Sequence, residues 1–328
     1  MKVFVTGGCG FAGSHLADLL VARGDRVLVL ALRGQSPRAS GRRSPEVEFE
    51  CGDIRDAEAL TRIVQDFRPE QIYHLAAFSS PAESFRRPLL TYEVNFSGTL
   101  NLLEACRRAR LESRILVVSS AGVYGHASEA SKPLSEDSPL QPRSPYAASK
   151  AAAEMLALDF FSREGLGIIR VRPFNHTGPR QTADYVCSGL ARQASEIELG
   201  LRPPEISAGN LHARRDFSDV RDIVRGYALL LDRGEPGEVY NLCAGRAVSI
   251  GEIAQTIANL SSRPISIVPD PSKMRQKDPP LRVGDCSKAR EKTGWEPRTS
   301  LEQTLRDLKQ WWVKALSARA GGEPADSI

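Results

Sequence analysis

Three side chains in this sequence have the types and spacing to move a proton and a hydride. Tyr146 and Lys150, in "SPYAASKAAAEML", stand four residues apart in a helical pattern, so both point the same way. A phenol, with a reference pKa of about 10, is a poor acid or base near neutrality, and a neighbouring ammonium stabilises the phenolate and draws that value down. Ser120, in "VVSSAGVYG", closes a strand-like run 26 residues before Tyr146, where its hydroxyl can hydrogen-bond a substrate oxygen from the other side. Tyr-x-x-x-Lys alone is common on exposed helix faces. What gives it weight here is "TGGCGFAGSHLA" near the start of the chain, where Gly7, Gly10 and Gly13 follow an apolar run and open an amphipathic one. Glycines so spaced allow a tight turn, close approach of a pyrophosphate and tight helix packing, and the helix amino terminus offers N–H groups to the anion. Serine, tyrosine and lysine beside a nicotinamide make a site for moving a hydride between C4 of that ring and a carbonyl carbon.

The elements that must position these groups alternate. Strand-like runs at Val3–Val5, Val27–Leu30, Gln71–Leu75, Arg114–Ser119 and Ile168–Val171 are separated by helical patterns at Phe11–Arg23, Asp56–Phe67, Leu89–Arg108 and Tyr146–Arg163. Such alternation predicts an α/β fold: a Rossmann-type doubly wound parallel sheet with ligand loops at the carboxyl ends of its strands. After Arg172 prolines and glycines become denser and the alternation lapses, with helical patterns at Asp219–Leu231 and Ser249–Leu260 and a closing one ending in "QWW". This reads as a smaller α/β substrate-binding lobe. The expected division is residues 1–172 for the dinucleotide-binding domain, with 209–235 returning to it, then 173–208 and 236–316 for the second lobe and 317–328 as a flexible tail.

The chain has 328 residues, 41% hydrophobic and 26% charged, with a net charge of +4. That is ordinary for a globular enzyme, and basic residues this scattered give no support to nucleic-acid binding. The start, "MKVFVTGG", lacks a charged leader followed by an apolar core, and no segment approaches the ~18 uninterrupted apolar residues of a membrane helix. Six cysteines without a CxxC pair argue against a disulfide framework or a zinc site, so no metal is expected, and reduced thiols in a cytoplasm are. The second strand runs out as Leu30-Ala31-Leu32-Arg33 with no acid to hold a free ribose. A carboxylate would repel a 2′-phosphate and Arg33 can pair with one, which favours NADPH over NADH; the alternative is a solvated loop arginine.

The combination resembles the extended short-chain dehydrogenase/reductase family over nearly the whole chain, through "TGGCGFAG", "GDIRD", "HLAA", "NFSGTLNLLEA", "SSAGVYG" and "YAASK". The resemblance implies that Phe11, Ala12, Asp53, Ile54, Leu75, Ala76, Ala77, Asn95 and Pro173 also border the cofactor, with Asp53 and Ile54 by the adenine. "RPFNHTGPRQ", "GNLHARRDFSDVRDIVRGY", "GEVYNLCAG" and "DPPLRVGDCSKAREKTGWEP" are similar to the GDP-mannose branch, which contains dehydratases and reductases, and the first two lie closer to the reductases. By the same resemblance Arg215 and Arg275 bind the diphosphate with Asn175, Asp278 takes the ribose hydroxyls, and Tyr185 and Val186 border the base. For either arginine the alternative is a surface ion pair, and for His176 a buried, satisfied imidazole competes with a substrate contact.

Dehydratases of this family need an acid and a base just after the active-site serine or threonine, but here Ala121 and Gly122 occupy those positions and neither carries a proton. The expected activity is therefore NADPH-dependent reduction of the C4 keto group of a GDP-4-keto-6-deoxyhexose by a homodimer or homotetramer. A nucleotide-sugar 4-epimerase with tightly bound NAD is the alternative, ahead of a 4,6-dehydratase or a non-catalytic NADP-binding regulator.

Overall fold

The computed structural model describes residues 1–34, 47–125, 132–274 and 281–320, without the side chains of 281, 282, 319 and 320. The first half runs β1 (Lys2–Thr6), α1 (Phe11–Ala22), β2 (Arg26–Ala31), β3 (Val47–Cys51), α2 (Ala57–Phe67), β4 (Gln71–His74), α3 (Pro81–Arg86), α4 (Pro88–Tyr92), α5 (Gly98–Arg108), β5 (Arg114–Val118), α6 (Pro145–Glu164) and β6 (Gly167–Pro173). It continues with β7 (Asn175–Thr177), α7 (Val186–Glu198), β8 (Glu205–Ala208), β9 (Arg214–Asp219), α8 (Val220–Arg233), β10 (Val239–Leu242), β11 (Ala247–Ser249), α9 (Ile250–Asn259), β12 (Ser266–Pro269), β13 (Leu281–Arg282), α10 (Ser287–Thr293) and α11 (Leu301–Ala320).

Seven parallel strands form the main sheet in the order β10-β6-β5-β4-β1-β2-β3. Alternate residues of a strand face opposite sides, so Val3 and Val5 enter one core with α1 and α8 while Phe4 enters the other with α2, α5 and α6. Both faces are covered, which is why the central strands read as unbroken apolar runs. The second lobe packs α7, α9 and α11 around Leu190, Ile253, Leu305 and Trp312. Its strands are short: β7 and β13 run parallel to β9 and β11 antiparallel to it, and β12 pairs with β8.

Three sequence-based boundaries are corrected. Val239–Leu242, placed by sequence in the second lobe, pairs with β6 as the edge strand of the main sheet. Residues 209–235 divide: β9 belongs to the small sheet, and α8 packs on α1 and behind β5 and β6. The closing helix continues to Ala320, past the expected start of the tail at 317. The expected single helix Leu89–Arg108 is interrupted by a wider π turn at Glu93–Ser97, which carries Asn95. No helix among the described residues is long and apolar enough to cross a membrane.

Candidate active site

The glycine loop is built by contacts that no other residue would permit. Gly7 has φ +74°, and a Cβ there would lie 2.7 Å from the Ala76 amide nitrogen. A Cβ on Gly13 would lie 2.1 Å from the Gly7 carbonyl oxygen, so the third glycine lets α1 dock against the loop. Gly10 closes the turn by donating its N–H to Gly7 O at 3.0 Å and caps α1 without any side chain reaching back to the first-turn N–H groups. Free N–H groups at a helix amino terminus are suited to hold an anion such as a pyrophosphate. Phe11 and Ala12 begin the helix, and the Phe11 ring stacks on His176 with centroids 5.8 Å apart and planes 10° apart. His176 Nδ1 lies 2.9 Å from the Phe174 carbonyl, which makes it a satisfied imidazole, and burial lowers its pKa.

Leu75, Ala76 and Ala77 follow β4 as a partly buried rim, and Pro173 ends β6 beside it. Between them, at the end of β5, the Ser119 hydroxyl is buried with no partner among the described residues. Two residues expected at the cofactor are also engaged by the protein. The Asp53 carboxylate is taken up by Arg55 at 2.7 Å, and Arg55 also reaches Glu93 at 3.3 Å. Asn95 is buried, and its amide is committed to the protein, accepting from Phe78 N at 2.7 Å and donating to Ser149 Oγ at 2.9 Å. Ile54 is 4% exposed and packs against Gly98. A surface cavity of about 470 Å³, lined by Asp53, Arg55, Glu93, Ser97 and Asn101 among others, opens here and does not reach the catalytic groups. Arg33 is exposed beyond the end of β2, and no acid lies between Ala31 and Gly34.

A buried relay that the sequence did not announce ties this rim to the catalytic helix. Ala76 N–H donates to Thr6 Oγ1, Thr6 and His74 Nδ1 are 2.7 Å apart, His74 Nε2 and Thr99 Oγ1 2.8 Å, and Thr99 donates to the Asn95 carbonyl at 2.6 Å. Burial lowers the His74 pKa to about 3, with the Lys150 charge adding to the effect, so the ring stays neutral. Since Thr99 donates onward, its oxygen accepts from Nε2–H, and Thr6 donates to Nδ1. Ser149, bonded to Asn95, donates to the Tyr146 carbonyl at 2.8 Å and completes the link to α6.

Helix α6 starts with Ser144 at the N-cap, its hydroxyl accepting from Ala147 N at 3.1 Å, and Pro145 in the first turn, which sets the chain direction just before Tyr146. Burial pushes the Tyr146 phenol up to about 12, and a hydrogen bond with Ser120 opposes that shift. Ser120 Oγ accepts from Gly122 N at 3.0 Å, which holds its oxygen at the head of a short turn, Ala121–Tyr124. Lys150 is 5% exposed, donates to the Val118 carbonyl at 2.7 Å, and has its pKa lowered by burial to about 8. The Lys150 ammonium is held by the β5 carbonyl, one turn along α6 from Tyr146, and the Ser120 hydroxyl eases the phenol.

On the second lobe, Asn175 donates to Asp216 O at 3.1 Å, and Arg215 donates to Arg214 O at 2.7 Å on β9. Asp216, not singled out from sequence, is fully buried and accepts from Ala244 N, Gly245 N and Gly284 N, tying β9 to two loops; burial raises its pKa to about 6. Tyr185 and Val186, expected beside the base, are exposed at the start of α7. The Tyr185 hydroxyl lies 3.2 Å from Ser79 Oγ, in the loop that follows β4. Arg275 and Asp278 lie outside the described residues.

A sequence profile of the GDP-mannose 4,6 dehydratase family matches residues 4–308. The chain is 34% identical over 311 residues to the GDP-6-deoxy-D-mannose reductase of Pseudomonas aeruginosa, covering 95% of this chain and 97% of that protein. Among solved structures, RMD from Pseudomonas aeruginosa complexed with NADPH superposes with a TM-score of 0.84 at 33% identity, covering 95% of this chain and 99% of the other. UDP-glucose 4-epimerase from Thermus thermophilus complexed with NAD does so with a TM-score of 0.83, also at 33% identity, covering 95% and 99%. The chain therefore belongs to the GDP-mannose 4,6 dehydratase family, a branch of the extended short-chain dehydrogenase/reductases whose members are NAD(P)-dependent oxidoreductases, dehydratases and epimerases.

Proposed function

We propose that the protein reduces the C4 keto group of a GDP-4-keto-6-deoxyhexose with NADPH, yielding a GDP-6-deoxyhexose such as GDP-D-rhamnose. The observation that carries this reading is Ala121 and Gly122 directly after Ser120, where neither side chain can carry a proton. Eliminating water needs a second acid and base, whereas reducing a carbonyl needs one proton donor. A phenol held protonated by burial is that donor.

The glycine cradle, the free first turn of α1 and the unpartnered Ser119 hydroxyl fit a dinucleotide. Arg33, exposed with no nearby acid on its turn, suits a 2′-phosphate, with NADH as the secondary cofactor. When bound, NADPH supplies the hydride. Ser120 then holds the carbonyl oxygen, Tyr146 gives that oxygen a proton, and Lys150 offsets the charge left on the phenolate. Asn175 and Arg215 stand on the side of the cleft assigned to the sugar nucleotide, for which Arg275 and Asp278 remain proposed ligands. The partner is a second copy of the chain, supported by the apolar face that Phe85, Leu89, Tyr92 and Met155 expose on α3, α4 and α6.

The test follows NADPH absorbance with GDP-4-keto-6-deoxymannose generated from GDP-mannose. Prompt oxidation with a GDP-deoxyhexose product is expected, while Tyr146→Phe should lose at least ~100-fold in kcat and still bind NADPH. A fully active Tyr146→Phe enzyme would sink the mechanism. A 4-epimerase, the second reading, draws on the Thermus relative and the shared Ser-Tyr-Lys set, and it requires that the purified protein isomerise an intact nucleotide hexose without added NADPH.

A further inference from the structure

We propose that Tyr185 is a substrate-positioning residue, whose hydroxyl leaves Ser79 to hold the hexose over Tyr146. The inference rests on the nucleotide-sugar reading above and adds a residue to it. Ser79 lies in the loop after β4, next to the strand that ends at Ser120, and its neighbours on both sides are fixed. Phe78 is held by Asn95 at 2.7 Å, and the Ser80 hydroxyl caps α3. Tyr185 comes from the other lobe, at the N-cap of α7, where its side chain makes no capping bond and is 38% exposed. The segment that carries it is braced by Gln181, which donates to His176 O at 3.0 Å and accepts from Thr177 at 2.6 Å, while Ser188 donates to the Gln181 carbonyl at 2.6 Å.

Two rigidly mounted hydroxyls therefore meet at 3.2 Å across the mouth of the cleft. A neutral bond between exposed hydroxyls is worth little against water and exchanges readily for a sugar hydroxyl. The partners it releases are already ordered, so little further entropy is lost when they turn to a ring. Ser79 follows β4 and Ser120 follows β5, neighbouring strands of the main sheet, so a hydroxyl released from Ser79 stands on the side of the reacting groups.

The decisive variant is Tyr185→Phe, which keeps the ring and removes only the oxygen. With the keto sugar nucleotide its KM should rise about five- to twentyfold while kcat changes less than about threefold. Ser79→Ala should raise KM similarly, and the double variant should fall short of the product of the two. Calorimetry with GDP-mannose and with GDP provides a second arm that does not depend on turnover. The affinity that the hexose adds over GDP should shrink in Tyr185→Phe, with GDP binding unchanged. Unchanged KM and hexose increment in Tyr185→Phe overturn the proposal, as does a lowered KM, the signature of a latch that only closes the cleft. A wild type that binds GDP-mannose better than GDP yet never oxidises NADPH overturns the reductase reading alone, and the calorimetric comparison still decides Tyr185. A wild type that gains nothing from the hexose overturns this inference too.

Discussion

At the scale of single residues, the site keeps one proton where it is needed and makes one cation uncomfortable. Lys150 carries its charge in a nearly dry position, and burial lowers its pKa to about 8 from an ordinary 10.5. The sign follows directly: between those values the unfolded chain binds more protons than the folded one, so stability rises with pH across that window. The full rise from this group is about 3 kcal/mol. Lys150→Met should abolish that rise in urea titrations compared between pH 7.5 and 10, while losing most reductase activity. A variant with the wild-type slope would show that the ammonium is not the burdened group. The placing of Tyr146 and Lys150 on one helix and the tight turn at Gly7, Gly10 and Gly13 were legible, because their spacing alone implies a common face and a close approach. The protein partners of Asn95 and Asp53 were not legible, because Phe78, Ser149 and Arg55 meet them only once the chain is folded.

At the scale of elements, the catalytic helix is anchored by a buried ion pair. Glu154 continues the Tyr146 and Lys150 face of α6, is fully buried, and meets the Arg172 guanidinium of β6 at 2.5 Å. Arg172 also donates to Tyr124 Oη and Glu136 O, both at 2.9 Å. Removing one partner leaves an uncompensated buried charge, so Glu154→Gln should destabilise the protein by about 3–5 kcal/mol in denaturant titrations. A loss below about 1 kcal/mol would mean that the pair does not anchor α6. The helices and central strands of the first half were readable from periodicity and caps. β3 escaped because its apolar/polar alternation spans only five residues, at an exposed edge of the sheet. β10 escaped because a four-residue run identifies no partner, and its pairing with β6 closes over a long stretch of chain. The π turn was hidden inside a sound helical pattern, since one extra residue in a turn leaves the periodicity on either side intact.

At the scale of the whole molecule, one face remains apolar toward solvent. Leu89 is 79% exposed and Phe85 63%, on adjacent short helices beside α6. Apolar surface gathered this way marks an association site. The wild type should sediment as a dimer or larger, and Leu89→Asp should shift it toward the monomer with its circular dichroism unchanged; a monomeric wild type would refute the assignment. The same scale shows how the lobes are joined. The chain leaves the main sheet after β6, builds β7 to β9, returns as α8 and β10, leaves again for β11 to β13, and comes back as α10 before closing with α11. Thr304 of α11 then donates to Asp219 at 2.8 Å and Trp295 to Asp222 O at 2.8 Å, fastening the last segment to the returning one. The substrate side is thus not a cassette. A crossover between two related genes at any single breakpoint in the second half would pair part of one parent's sugar pocket with part of the other's. New sugar preferences in this lineage are therefore expected to arise by point replacement at a few pocket positions, and a designer moving specificity between relatives must graft three separate segments and leave α8, β10 and α10 with the host.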